Sequence, residues 1–213
     1  MKKMVIHILP LFLLSFSAVA QTADGITASA IGLAARDAGK AAVEVTSLSN
    51  DHTAYAYVES SCFPGKPGSG GVYAQFFWEQ KFWSAPVFLH AEFRTTGSPA
   101  DVENACYLGG AYCVYAQNGF LAVEPLYRFS NAGGHGGQLS VVGNWAWGRL
   151  DLSHFTDVWK TETMPAKGVM GYCEARLYYT IWRRIAAGVV GTVVSDFGSF
   201  AETHLYLGLR IRM

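Results

Sequence analysis

Read in steps of two, the chain from residue 25 onward falls into segments of about ten residues in which apolar and polar positions alternate. Each segment is bounded by Gly, Pro, Asn, Asp or Ser. Successive side chains of a strand point to opposite faces, so this period assigns each residue to a face. Between Pro86 and Arg94, Val87, Leu89, Ala91 and Phe93 share one face, and Phe88, His90, Glu92 and Arg94 share the other. From Gln138 to Trp147, Leu139, Val141, Gly143, Trp145 and Trp147 stand opposite Gln138, Ser140 and Asn144. Leu121, Val123, Pro125, Tyr127 and Phe129 oppose Glu124 and Arg128, with Pro125 the discord, because proline cannot donate to a strand ladder. Leu205, Leu207, Leu209, Ile211 and Met213 oppose His204, Tyr206, Arg210 and Arg212.

The pattern predicts twelve strands near 25–34, 41–49, 52–61, 71–81, 86–95, 104–115, 119–129, 137–148, 150–160, 168–180, 184–195 and 200–213. Their connections alternate in length. Short turns fall at Asn50-Asp51, 82–85, Gln117-Asn118, Arg149 and 181–183, and mostly longer ones at 35–40, 62–70, 96–103, 130–136, 161–167 and 196–199. That asymmetry belongs to transmembrane barrels, with short periplasmic turns and longer outer loops. An even strand count with both ends on the periplasmic side follows. The Gly- and Pro-rich loops 62–70 and 130–136 read as mobile outer loops. Ten strands are the alternative, for two reasons. The Ala- and Gly-rich segment 25–34 could form a short helix, and the ninth segment sets His154 on the face of Leu152 and Val158 unless a bulge reverses its phase.

A soluble β-sandwich also alternates, but its outward face must be polar. Here the apolar face suits the outside of an all-β, antiparallel up-and-down transmembrane barrel and the charged face its interior. Composition agrees: 51% of residues are hydrophobic, 14% aromatic and only 15% charged, against about 25% charged in an average soluble domain. Phe82, Trp83, Trp145, Trp147, Trp159 and Trp182 lie near strand ends, as an interfacial girdle requires. Residues 1–20 read as a cleaved export signal: Lys2 and Lys3, an apolar run from Met4 to Val19, and the small-x-small box Ala18-Val19-Ala20. An uncut N-terminal membrane helix is its competitor. The mature domain then spans 21–213. Beyond the signal, no run reaches the 18 to 20 or so apolar residues of a membrane helix.

Lys plus Arg equals Asp plus Glu, at 16 each, which argues against nucleic acid as a partner. Cys106 and Cys113 lie on one strand with opposite parity and cannot bridge each other; Cys62 reads as a loop residue and Cys173 as a strand residue. No metal site or cofactor is expected, since His52, His90, His135, His154 and His204 are scattered with no close pair. Barrel lipases and acyltransferases need Ser and His on one face, whereas adjacent Ser153 and His154 point apart and a turn separates Ser84 from His90. An enzyme is therefore not expected. Gly133-Gly134-His135 lacks the strand-to-helix setting of a phosphate loop.

The stretches FFWEQKFWSAPVFLHAEFRTT (76–96), ENACYLGGAY (103–112), HFTDVWK (154–160), EARLYYTI (174–181) and GTVVSDFGSF (191–200) resemble a Bacteroides-type family of outer-membrane proteins of unknown function. That family is itself similar to the nucleoside-specific, Tsx-like porins. The resemblance implies a narrow barrel passing small solutes, with nucleosides the substrate class. The strand 200–213 resembles the C-terminal signal read by the barrel-insertion machinery, with Met213 in place of the usual final aromatic. On this phase the lumen is lined by Phe77, Glu79, Phe88, His90, Glu92, Arg94, Glu124, Arg128, Glu174, Arg176, Tyr206, Arg210 and Arg212. Carboxylates and guanidiniums beside aromatic rings suit a neutral, hydrogen-bonding ring, by stacking and paired donors. Alternatively the charges pair with one another and fill a closed structural or adhesive barrel.

Overall fold

The computed structural model describes residues 26–34, 39–48, 52–62, 71–82, 86–98, 101–165, 168–198 and 200–212. The expected export signal lies outside them. Twelve strands follow in chain order: β1 (Ile26–Ala34), β2 (Gly39–Leu48), β3 (His52–Cys62), β4 (Val72–Phe82), β5 (Val87–Ser98), β6 (Asp101–Ala116), β7 (Gly119–Ser130), β8 (Gly134–Trp147), β9 (Leu150–Thr161), β10 (Met170–Trp182), β11 (Ile185–Ser195) and β12 (Ala201–Arg212). Each pairs antiparallel with its neighbours in sequence, and β1 pairs with β12, closing the sheet into a barrel. Closure matters because hydrocarbon offers no hydrogen-bond partners: a strand edge facing lipid would leave its amides unsatisfied, and a closed sheet has no edge.

The outer face carries the apolar rows. Leu205 and Leu207 are 68% and 70% exposed, and Leu89, Phe93, Leu108, Leu139 and Leu177 also lie open on this face. The inner face is covered. Its fully buried residues include Tyr178, His90, Val190, Asp157 and Ser140. A water-soluble protein would bury the first set and hydrate part of the second, so the distribution is that of a barrel whose solvent is lipid.

Several local expectations are corrected. Segment 26–34 is a strand throughout, paired with β2 along its length and with β12 from Ser29 onward, so its Ala and Gly content does not make it a helix. In β9 no bulge occurs: the register is continuous against both β8 and β10. Ser140 and Asp157 are partners on the inner face, and parity then places His154 on the outer one. There it is flanked by Gly143 and Ala175, and the Thr156 hydroxyl two residues on lies 2.9 Å from its Nε2. A polar ring on the lipid side is thus met by a hydroxyl on its own face. Trp159 pairs with inward Gln138, so it belongs to the inner wall rather than the outer girdle. Trp147 and Trp182 do lie exposed at the end with the short turns. Trp83 lies outside the described residues.

The connections also differ. β5 and β6 continue past the expected loop 96–103, with Ser98 opposite Asp101. The expected mobile loop 130–136 is a three-residue turn, because Gly134 to Gly136 are already in β8. Ser130 Oγ accepts from the amides of Ala132 and Gly133, Asn131 Oδ1 accepts from the Asn104 amide, and the Thr163 hydroxyl donates to the Gly133 carbonyl. Residues 63–70 of the other such loop lie outside the described set, and Cys62 is the last residue of β3 rather than a loop residue. Cys106 is exposed and Cys113 buried, on opposite faces of β6, and both are free thiols, as is Cys173. Pro125 is tolerated because the β6–β7 ladder is interrupted beside it: pairing is recorded at Gly109↔Leu126 and Tyr112↔Val123 and not between them.

Replacing Leu207 by Arg puts a guanidinium on the lipid face near the middle of β12. Equilibrium unfolding in lipid vesicles is expected to show a loss of about 2–4 kcal/mol.

Candidate functional site

Each lumen residue inferred from the sequence has its side chain on the inner face. Glu79, Phe88, His90, Glu92, Glu124, Arg128, Glu174 and Tyr206 are buried; Phe77, Arg94, Arg176 and Arg210 are partly buried; Arg212 is exposed at the rim. They do not form one site. The wall divides into three neighbourhoods.

The first is centred on His90, which is 2% exposed. Glu79 on β4 is its direct cross-strand partner, and Glu79 Oε1 lies 3.1 Å from His90 Nδ1. Glu92, two residues on and so on the same face, places Oε2 3.3 Å from Nε2. Glu124 comes from β7, two strands away, with Oε2 3.9 Å from Nδ1. It reaches across because β6 presents only Gly109 and Ala111 to the interior at this level. A Cβ at Gly109 would stand 2.2 Å from the Pro125 carbonyl oxygen, so only glycine allows this close approach. Phe77 stacks on the imidazole at 5.4 Å between ring centroids.

Arg94 carries the cluster across the lumen. Its guanidinium donates to Glu92 on its own strand and to Asp157 on β9. It also lies over the rings of Tyr107 and Phe155, 4.5 and 5.4 Å from their centroids. Asp157 accepts from Ser140, which accepts from Gln138. Gln75 donates to Glu92 at 2.6 Å, and Arg128 donates to Tyr107 and Glu103. A buried carboxylate or guanidinium is tolerated only when paired and hydrogen-bonded, and here each strand supplies the next partner.

The second neighbourhood lies on the opposite wall. Arg176 donates to Glu174 and, across the barrel, to Glu44 on β2 at 3.5 Å, with its guanidinium 5.4 Å from the Tyr57 centroid. Tyr172 donates to Glu174 at 2.6 Å, Tyr57 to Glu59 at 2.8 Å, and Lys40 is 2.9 Å from Glu59. Tyr55 stacks on Phe77 at 4.8 Å and joins the two neighbourhoods. The third sits near the short turns, where Arg210 and Arg212 both reach Asp151. Arg210 stacks on Tyr178, whose buried hydroxyl lies above Gly208 and has no hydrogen-bond partner among the described residues.

Sequence reasoning missed Glu44, Tyr57, Tyr107, Asp151, Phe155 and Asp157. For Asp151, Phe155 and Asp157 the signal was present: they share parity within β9, and the expected bulge obscured it. It also missed the grouping of Glu79, His90 and Glu124, whose ligand atoms lie within 4.8 Å of one another, because paired histidines were sought and this set has one. Ser153 and His154 stand on opposite faces, so the adjacent pair forms no nucleophile and base.

No protein-family model matches the chain, and no curated protein sequence does. Solved structures do match by fold. A KdgM porin superposes with a TM-score of 0.57 at 12% identity, covering 87% of this chain and 98% of that one. A second KdgM structure, in complex with disordered oligogalacturonate, gives 0.56 at 13% identity, with coverage of 87% and 98%. A NanC porin gives 0.55 at 10% identity, with 88% and 97%. At such identity the likeness is one of fold: this is a porin-like twelve-stranded barrel. The Tsx-like and Bacteroides-type resemblance gains no support from a family model.

The Arg94–Asp157 pair is the test of the wall's construction. Arg94→Ala and Asp157→Ala should each destabilise the barrel by about 3–5 kcal/mol, since each strands a buried charge. The double variant should lose less than the sum of the two, measured by equilibrium unfolding in lipid or detergent.

Proposed function

We propose that the protein is a channel of the Gram-negative outer membrane that admits small polar solutes, with neutral hydrogen-bonding rings such as nucleosides its preferred class. One observation carries the reading: guanidiniums stacked on aromatic rings, Arg94 on Tyr107 and Phe155 and Arg176 on Tyr57, form a polar and aromatic inner wall. Such a wall offers a planar solute both a stacking face and paired donors. The twelve-stranded closure supports it, because about eight strands are filled by their own side chains and about sixteen leave a wide channel. So does the fold shared with KdgM and NanC porins. The oligogalacturonate named for one KdgM structure is a polyanion. A polyanion would meet Glu79, Glu92 and Glu124 here as well as the guanidiniums, and a wall of both signs favours neutral solutes. In this reading the apolar rows meet outer-membrane lipid, residues 1–20 direct export, and the insertion machinery engages β12.

A second reading, a closed structural barrel, rests on the ion pairs that cross the lumen: Arg94 to Asp157, Arg176 to Glu44 and Arg210 to Asp151. Planar-bilayer recordings separate the two. The channel reading expects discrete conductance steps and solute-dependent liposome swelling; a barrel that stays sealed rejects it. Swelling should be faster with nucleosides than with sugars of equal size, and equal rates would remove the nucleoside preference while leaving the channel.

A further inference from the structure

Three buried carboxylates converge on one imidazole, and only two of them are hydrogen-bonded. Glu92 is tied to Gln75, Arg94 and His90 Nε2, and Glu79 lies within hydrogen-bond reach of His90 Nδ1. Glu124 is 6% exposed and makes no hydrogen bond among the described residues; its Oε2 lies 3.9 Å from the same Nδ1, an ion-pair separation. A buried carboxylate without a hydrogen bond is costly and must be neutralised, by taking up a proton or by pairing with a cation. His90 offers one nitrogen to two carboxylates, while its other nitrogen already faces Glu92. In metal-bound histidines the nitrogen that does not touch the metal donates to a carboxylate, which fixes the ring and its tautomer. Glu92 stands where that carboxylate belongs, and the Phe77 ring holds the imidazole from the side.

We propose that His90 Nδ1, Glu79 and Glu124 form a binding site for a divalent transition-metal ion on the inner wall of the barrel, with Glu92 as the orienting partner of His90. The ligand atoms lie within 4.8 Å of one another. In a tetrahedral site with bonds of about 2.0–2.2 Å, ligands stand roughly 3.4 Å apart; Glu79 and Glu124 bracket that spacing from Nδ1, at 3.1 and 3.9 Å, and no pair of ligand atoms has to close by more than about 1.4 Å. One imidazole and two carboxylates suit Zn2+ and Co2+ over Mg2+ or Ca2+, which take oxygen ligands. Three protein ligands leave a fourth position for water or solute. The site depends on equilibrium binding and not on conduction, so it stands or falls independently of the channel reading.

The experiment uses the full barrel, refolded in detergent and stripped of metal, titrated with Zn2+ and, in parallel, Co2+. Expected are one ion per chain by calorimetry and elemental analysis, no displacement by excess Mg2+, and Co2+ absorption of a nitrogen and oxygen ligand set. H90Q and E124Q should each weaken Zn2+ at least tenfold, and E92Q by about 10–100-fold. His135 and His204 face Glu162 and Glu202 near the ends of their strands, away from His90, so H135Q and H204Q serve as controls and should keep the full stoichiometry. E124Q preserves side-chain volume and carries the test if H90Q does not fold, as judged by heat-modifiable gel migration. Absence of saturable Zn2+ uptake, or uptake unchanged in E124Q, overturns the site and leaves a donor shared among carboxylates as the role of His90.

Discussion

The constraint on which this protein rests is that a backbone amide in hydrocarbon has no water to turn to. Every N–H and C=O in the spanning region must find a partner within the protein, and a sheet meets that demand only by joining its last strand to its first. The pairing of β1 with β12 is therefore the contact that makes the other strands viable in lipid. It also explains why a first strand rich in Ala is kept as a strand: pairing with both neighbours overrides the weak strand preference of its Ala and Gly residues.

Closure then decides the chemistry inside. Once the apolar rows face lipid, the opposite rows are confined to a narrow space where an unpaired charge is expensive. The chain answers with partners drawn from distant strands: Arg94 meets Asp157 sixty-three residues away, and Arg176 meets Glu44 one hundred and thirty-two residues away. Aromatic rings fill the gaps between ion pairs and take up the flat faces of the guanidiniums. The same groups that satisfy one another form the surface that a passing solute would meet. Structural pairing and recognition therefore draw on one set of residues.

Much of the fold was legible because period two is a local signal: Leu205, Leu207 and Leu209 announce their face without reference to any other strand. The inner set from Phe77 to Arg212 followed from the same parity. What stayed hidden depends on register, which a single strand does not carry. The meeting of Glu124 with His90 requires two small residues on the strand between them, and nothing local to β7 indicates that Gly109 and Ala111 will stand there. His154 misled for a related reason. A polar ring among Leu152 and Val158 suggested a bulge, whereas the strand keeps its phase and the Thr156 hydroxyl lies beside the ring.

The orientation of the two faces can be measured residue by residue. Spin labels placed singly at 204, 205, 206 and 207, in a background without the native cysteines and reconstituted in lipid, report collisions with oxygen dissolved in the bilayer and with a water-soluble nickel chelate. Oxygen contact should be high at 205 and 207 and low at 204 and 206. Labels at 205 and 207 that meet neither lipid oxygen nor chelate would show the leucine rows packed within a soluble core, and the barrel reading would be wrong.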